Sequence, residues 1–318
     1  MQQRQSTRDD YSRKINIVIE YINNNLTNDI DLDVLASVSN FSPYHFHRIF
    51  KAFTGEPIGV FITRMRVETA ARLLRYSDMP VCEIAYKVGY DMPSSLSKVF
   101  KQFYNITPTE YRNNKKYTIM KPLKINSNME LSSDVINMEP QQAIYISLIG
   151  DYKKLDYCMA WKKLWNHVRM SGKFSEEMGN GKGIDSDKVH QMLADGRIAH
   201  AVIYHDDPKL TDCDKRRADI CLVLPFKIEP KGEIGIKEIA GGRYVVYHYQ
   251  GSYNQLDKVY DTIFGKYIPD RNYKLDERPL FEVYPNDPEC TPPDKLLTEI
   301  HTYYLITLGI AIFMVAIP

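Results

Sequence analysis

The sequence predicts a multidomain protein, an all-α double helix-turn-helix domain followed by an α+β domain of two strand-helix-strand repeats. Three observations predict it. A pattern of short helix, turn and longer helix occurs twice within the first 112 residues, at an offset of 49 to 51. A second motif, G-x-Y-x-x-L-D, begins at Gly150 and again at Gly251, an offset of 101. Charge divides along the same line: residues 1–125 hold 18 Lys+Arg against 12 Asp+Glu, and residues 126–318 hold 23 against 28. In a chain of 318 residues with net charge +1, that asymmetry points to a basic module joined to an acidic one.

The first repeat reads Leu35-Ala36, Phe41, Phe46, Ile49-Phe50-Lys51, Phe53, Pro57, and its second copy Ile84-Ala85, Tyr90, Leu96, Val99-Phe100-Lys101, Phe103, Pro108. Phe46, Ile49, Phe50 and Phe53 fall at i, i+3, i+4 and i+7, as do Leu96, Val99, Phe100 and Phe103, so each set predicts one buried helical stripe. Ser42-Pro43 predicts an N-cap with proline at the first helical position, and Thr107-Pro108 repeats the device for a closing helix ending near Arg112. Upstream, Ile15, Val18, Ile19, Ile22 and Leu26 predict a further amphipathic helix. Between the copies, Ile58 to Tyr76 has no strong breaker and predicts one long bridging helix, with Arg64, Arg66, Arg72 and Arg75 available to phosphates. A rigid bridge suits two helices that must enter successive major-groove segments about 34 Å apart.

In the second half, each G-x-Y-x-x-L-D follows an apolar run, Ala143 to Ile149 and Tyr244 to Tyr249, and each opens a helical pattern. The first helix carries Met159, Trp161, Leu164, Trp165 and Val168, and the second Val259, Tyr260, Ile263, Phe264 and Tyr267. Further strands are expected at Ala199 to Tyr204, Ile220 to Leu224 and Leu280 to Pro285. Two such units predict a pseudo-twofold domain with a groove between its halves. Glu282, between Phe281 and Val283 in a strand, should face away from both. On a groove-lining face its carboxylate would need a charged or hydrogen-bonding partner, which a ligand cation supplies. Trp161 and Trp165, four apart on one helix face, and Tyr145, Tyr152, Tyr204 and Tyr284 could add rings for cation–π contact. A tryptophan pair at helical spacing also fits a plain core position.

Residues 10–113 resemble the DNA-binding domain of AraC/XylS-type transcriptional regulators, through the repeat residues above together with Arg48, Gly55, Val88-Gly89-Tyr90, Tyr111 and Arg112. The resemblance implies double-stranded DNA as a partner, with RNA polymerase as a second. It places Tyr44, His47 and Arg48 in base-contacting positions of the first recognition helix, and Ser94, Ser97 and Lys98 in those of the second, with Lys51 and Lys101 on the same faces. Pro93 stands where the family often has a polar residue, so the first helix is expected to discriminate bases and the second to lean on its lysines and the DNA backbone. Two units in one chain let a monomer span two groove segments.

Residues 129–302 resemble a GyrI-like effector-binding domain, through the twin G-x-Y motifs, Ala160-Trp161, Ala201-Val202, Asp206-Asp207-Pro208 and the run Arg278 to Pro288. The resemblance implies a small-molecule effector, bulky, aromatic and often cationic, with Glu282 at the family's pocket carboxylate. It keeps open a hydrolase, since some GyrI-like relatives cleave strained small molecules, and an architectural DNA binder with no ligand is the other alternative. No Ser/His/Asp set, metal motif or phosphate loop appears in the sequence, so a regulator, not an enzyme, is expected, with no cofactor.

Five scattered cysteines lack metal spacing and fit small core residues of a reduced cytoplasm. Met1 to Asp10 is polar, so no secretory leader is expected. Residues 114–128 are the expected linker. Residues 303–318 form an uncharged apolar tail, shorter than the roughly 17 to 20 residues a membrane span needs and without a basic flank, so no membrane role is expected. An extended last strand, an interface element or an altered reading frame all remain open for it.

Overall fold

Ile15, Val18, Ile19 and Ile22 turn one face of the first helix inward, where it meets Leu35, Phe46, Phe50 and Phe61 in a single core. The structure is a computed structural model that describes residues 2–113, 129–174, 186–271, 274–275, 278–288 and 290–305. Its N-terminal domain holds α1 (Gln2–Asn24), α2 (Leu32–Val38), α3 (Pro43–Thr54), α4 (Ile58–Tyr76), α5 (Val81–Lys87), α6 (Pro93–Tyr104) and α7 (Pro108–Asn113). The bridge between the repeats is thus one unbroken helix. Its first half packs on the α2–α3 unit through Ile58, Phe61 and Met65, and its second half on the α5–α6 unit through Val67, Ala70, Leu73 and Leu74.

Two local expectations are corrected. Phe103 is 41% exposed and leaves the predicted stripe, because Tyr104 and Tyr111 pack on Phe100, at 4.8 and 5.2 Å between ring centroids, and occupy that side of the core. Ser42 sits at the N-cap of α3, yet its hydroxyl pairs with His45 Nδ1 at 3.2 Å and caps no backbone N–H. The second cap is complete: Glu110 N–H donates to Thr107 Oγ1 at 3.2 Å while Thr107 N–H donates to Glu110 Oε2 at 2.8 Å.

The C-terminal domain is built on β1 (Ser132–Met138), β2 (Gln141–Ile149), β3 (Ala199–Tyr204), β4 (Arg217–Val223), β5 (Gly235–Ile239), β6 (Gly242–Gln250), β7 (Lys274–Leu275), β8 (Phe281–Val283) and β9 (Leu297–Leu305). Helices α8 (Tyr157–Ser171), α9 (Ser186–Ala194) and α10 (Leu256–Thr262) accompany them, the last continued by a π-turn over Ile263–Tyr267. The strands order as β1-β6-β9-β8-β3-β4-β2-β5, all antiparallel, with β7 beside β9. That order is a palindrome of roles: β6, β9 and β8 mirror β2, β4 and β3 across the central β8–β3 pair. The G-x-Y glycines explain their own repetition, since Gly150 (φ 144°) and Gly251 (φ 148°) leave β2 and β6 at angles that disfavour a side chain. At Gly251 a Cβ would also lie 2.4 Å from the Tyr249 hydroxyl.

Strands β1, β5 and β7 exceed the sequence expectation, and β9 runs on to Leu305, as the extended-last-strand alternative has it. Residues 303–305 of the apolar tail belong to β9, with Tyr303 opposite Tyr244. The rest of that tail and the linker 114–128 lie outside the described residues. Alternation then sends Ile144, Ile146 and Val202 to the face covered by α8, and Ala143, Tyr145, Ile203 and Phe281 to the other. This second face looks toward α1 and α4 across a cavity of about 480 Å³.

Candidate ligand cavity and nucleic-acid interface

Burying Phe46 and Phe50 leaves His47, Arg48 and Lys51 exposed on α3. The Tyr44 side chain lies outside the described residues. On α6, Ser94, Lys98 and Lys101 are exposed, whereas Ser97 is half-buried and donates its hydroxyl to Pro93 O at 3.0 Å. The two faces are chemically unequal, as their sequences imply.

Two of the four arginines of α4 are a correction. Arg64 is buried, with Nη2 at 2.6 Å from Glu56 and Nη1 at 3.1 Å from Glu68. Arg66 donates to Leu26 O at 3.1 Å and Asn28 O at 2.8 Å. Both hold the helical domain together and neither is presented to a phosphate. Glu68 remains costly there: burial outweighs Arg64 and pushes its carboxyl up to about 7.

The second cavity, about 1390 Å³, lies over the central β8–β3 pair. Glu282 sits at its floor, opposite Val202 in register, and is 1% exposed. Its neighbours Phe281 and Val283 pack on the other face of the sheet. Tyr260 donates its hydroxyl to Oε1 and Tyr284 to Oε2, and the Tyr204 hydroxyl lies 3.3 Å from that of Tyr284. Burial nevertheless dominates and raises the Glu282 carboxyl above its ordinary range. Among the described residues no lysine or arginine pairs with it.

Aromatic rings wall the cavity. Tyr152 and Tyr204 meet edge to face at 4.8 Å, Tyr253 and Tyr284 at 5.4 Å. Trp161 lies 4.7 Å from the His200 ring, and Trp165 Nε1 donates to His200 Nε2 at 2.9 Å. Burial lowers the His200 pKa to about 4, which keeps the imidazole a neutral acceptor for that indole. Glu282, Trp161, Trp165, Tyr152, Tyr204 and Tyr284 therefore line one cavity.

Tyr145 does not join them, and this too is a correction. It points to the opposite face of the sheet, where Lys237 Nζ lies 4.3 Å from its ring centroid. Strand period decides this: Tyr145 lies between Ile144 and Ile146, which face the helices. Sequence reasoning missed Tyr157, His200, Tyr253, Tyr260 and Phe264, and three residues of α4 with its C-cap Ser77. Only Tyr253 had a signal, as the counterpart of Tyr152 at the repeat offset of 101.

The described residues bring one serine, histidine and aspartate together, on the sheet's second face. Asp219 is the centre of that set, accepting from Ser147, from His205 Nε2 at 2.7 Å and from Lys237 Nζ at 2.6 Å. The serine hydroxyl is turned to the carboxylate, not to the imidazole, so the serine–histidine hydrogen bond of a nucleophilic triad is not made. No group of three or more metal-ligating side chains occurs among the described residues. Four of the five cysteines are exposed and only Cys221 is a core residue, contrary to expectation, and none is in a disulfide. No helix of the described residues is long and apolar enough to cross a membrane.

A family model described as a helix-turn-helix domain matches residues 35–114, and one described as a GyrI-like small molecule binding domain matches residues 132–302. The HTH-type transcriptional activator AarP of Providencia stuartii is 36% identical over 110 residues, 32% of this chain and 82% of that protein. The regulatory protein PocR of Salmonella typhimurium is 34% identical over 102 residues, of which this chain spans about a third of the length, 34%. The crystal structure of the EcmrR C-terminal domain aligns with 56% of this chain and 99% of that domain at 15% identity, with a TM-score of 0.41.

Proposed function

The chain belongs to the GyrI-like small-molecule-binding family with an AraC-type helix-turn-helix domain ahead of it, and on that premise we propose that this transcriptional regulator senses a bulky aromatic cation at Glu282. One observation carries the proposal: a buried carboxylate whose protein partners are phenols, at the floor of a cavity walled by rings. Phenol hydrogen bonds do not neutralise the carboxylate when it ionises in this poorly solvated place, and a ligand cation compensates that charge. The rings add cation–π attraction and apolar area for flat substituents.

For DNA, His47 and Arg48 on α3 read bases, joined by Tyr44, while Lys51, Lys98 and Lys101 hold phosphates. Ser94 and Ser97 make the short contacts that α6 allows. A monomer occupies two groove segments in the cytoplasm, and RNA polymerase is the partner through which binding acts. Calorimetric titration of the full chain with tetraphenylphosphonium tests the ligand half. Saturable uptake that Glu282→Gln weakens supports it, and equal uptake by both proteins removes Glu282 from the site.

A further inference from the structure

The cavity over Glu282 is not walled by the C-terminal domain alone. Arg72, Leu73, Tyr76 and Ser77, the C-terminal end of α4 and its cap, line it as well. Tyr76 touches the C-terminal domain twice: its ring centroid lies 5.0 Å from that of Phe264, and its hydroxyl donates to Asp207 Oδ2 at 3.4 Å. Phe264 in turn stacks on Tyr260, 16° from parallel at 6.5 Å, and Tyr260 holds the Glu282 carboxylate. Two rings thus separate the ligand-binding carboxylate from the helix that spaces the two recognition helices.

The elements at this junction are suited to move together. Phe264 sits in the π-turn Ile263–Tyr267, where the hydrogen-bond ladder carries an extra residue and can shift register locally. Leu210, from the same loop as Asp207, packs against the core of the α5–α6 unit.

We propose that Tyr76 is part of the effector site, so that a cation in the cavity contacts the DNA-binding domain directly and its occupancy is linked to DNA occupancy through the Tyr76–Phe264 contact. The proposal rests on the cation reading of Glu282. By linkage, DNA must change cation affinity by the same factor as cation changes DNA affinity.

The test is calorimetric titration of the full chain with tetraphenylphosphonium, with and without a saturating duplex selected from random sequence by the protein itself. The expected result is a shift of at least about threefold in cation Kd on DNA binding in the wild type. Tyr76→Phe, which keeps the ring, should retain the shift, and Tyr76→Ala should abolish it. Phe264→Leu, on the other side of the contact, should reduce it and stands in if Tyr76→Ala does not fold. A cation Kd that is the same with and without DNA overturns the link while leaving the cation reading intact, as does a full shift in both Tyr76→Ala and Phe264→Leu. Uptake unaffected by Glu282→Gln, or no uptake at all, overturns both.

Discussion

Arg217 donates three hydrogen bonds to Asp206: its backbone N–H and Nε reach Oδ2 at 2.7 and 2.9 Å, and Nη2 reaches Oδ1 at 2.7 Å. Both residues are buried, and Arg217 also approaches Asn23 of α1 at 3.3 Å and lies 5.6 Å over the ring of Phe61. The pair fastens β4 to the loop that carries Asp207 at the seam of the two domains. Burial opposes the charge of Asp206, but Arg217 and His205 overcome it and hold its carboxyl below the usual range. Removing one partner leaves an uncompensated buried charge, so Asp206→Asn should destabilise by about 3–5 kcal/mol in urea unfolding. A lowered folded pKa means stability present above the unfolded value and lost as pH falls through the folded one. The acid limb of the wild-type stability curve should therefore be steeper than that of Asp206→Asn.

Glu282→Gln keeps the shape of the site and removes its charge. Tetraphenylphosphonium affinity should fall at least about tenfold, roughly 1.4 kcal/mol, in calorimetry. An unchanged Kd would place the cation elsewhere.

Binding should also release protons. The folded pKa of Glu282 is raised, chiefly by burial, so this group favours the fold below its unfolded pKa and that contribution is lost as pH rises through the folded value. A bound cation favours the ionised form and reverses the cost. Cation affinity should rise with pH over that window, and titrations in two buffers of different ionisation enthalpy should differ by the heat of the released proton.

Glu68 offers an independent check on the helical domain. Its carboxyl is pushed from the ordinary 4.5 up to about 7 by burial, against the pull of Arg64. A raised carboxyl pKa costs stability as pH climbs through that interval, by roughly 3 kcal/mol at about 1.4 kcal/mol per pH unit. The difference in unfolding free energy between wild type and Glu68→Gln should shift by an amount of that order across the same interval, in favour of the variant at the upper end.

On DNA, Arg48→Ala and Lys51→Ala should fail differently. Loss of a base contact at Arg48 should cost about 1–3 kcal/mol and relax preference at one base pair. Loss of a phosphate contact at Lys51 should weaken every sequence alike and reduce the salt slope by about 1. Selection from random duplexes at fixed salt distinguishes the two.

Much of the fold was legible because it is written at short range. The stripe Phe46, Ile49, Phe50 defines α3, and the breaker-free run Ile58–Tyr76 is α4 to the residue. Phe103 was misread because a stripe cannot say which ring will cover its last position. Edge strands such as β5 were missed because a half-exposed strand with Lys237 and Glu238 carries a weak apolar signal.

Among the candidate ligand residues, six line one cavity and the seventh, Tyr145, goes to the other face of the sheet by strand period. Helical and strand periodicity, the two duplications and the charge asymmetry are properties of neighbouring residues, and the sequence by itself determined them. Tertiary structure alone decided that Arg64 spends its charge on Glu56, that the Tyr260 and Tyr284 phenols converge on Glu282, and that Tyr76 meets Phe264. Those pairings join residues up to nearly 190 positions apart, and burial of the intervening core, not any local preference, brings them into contact.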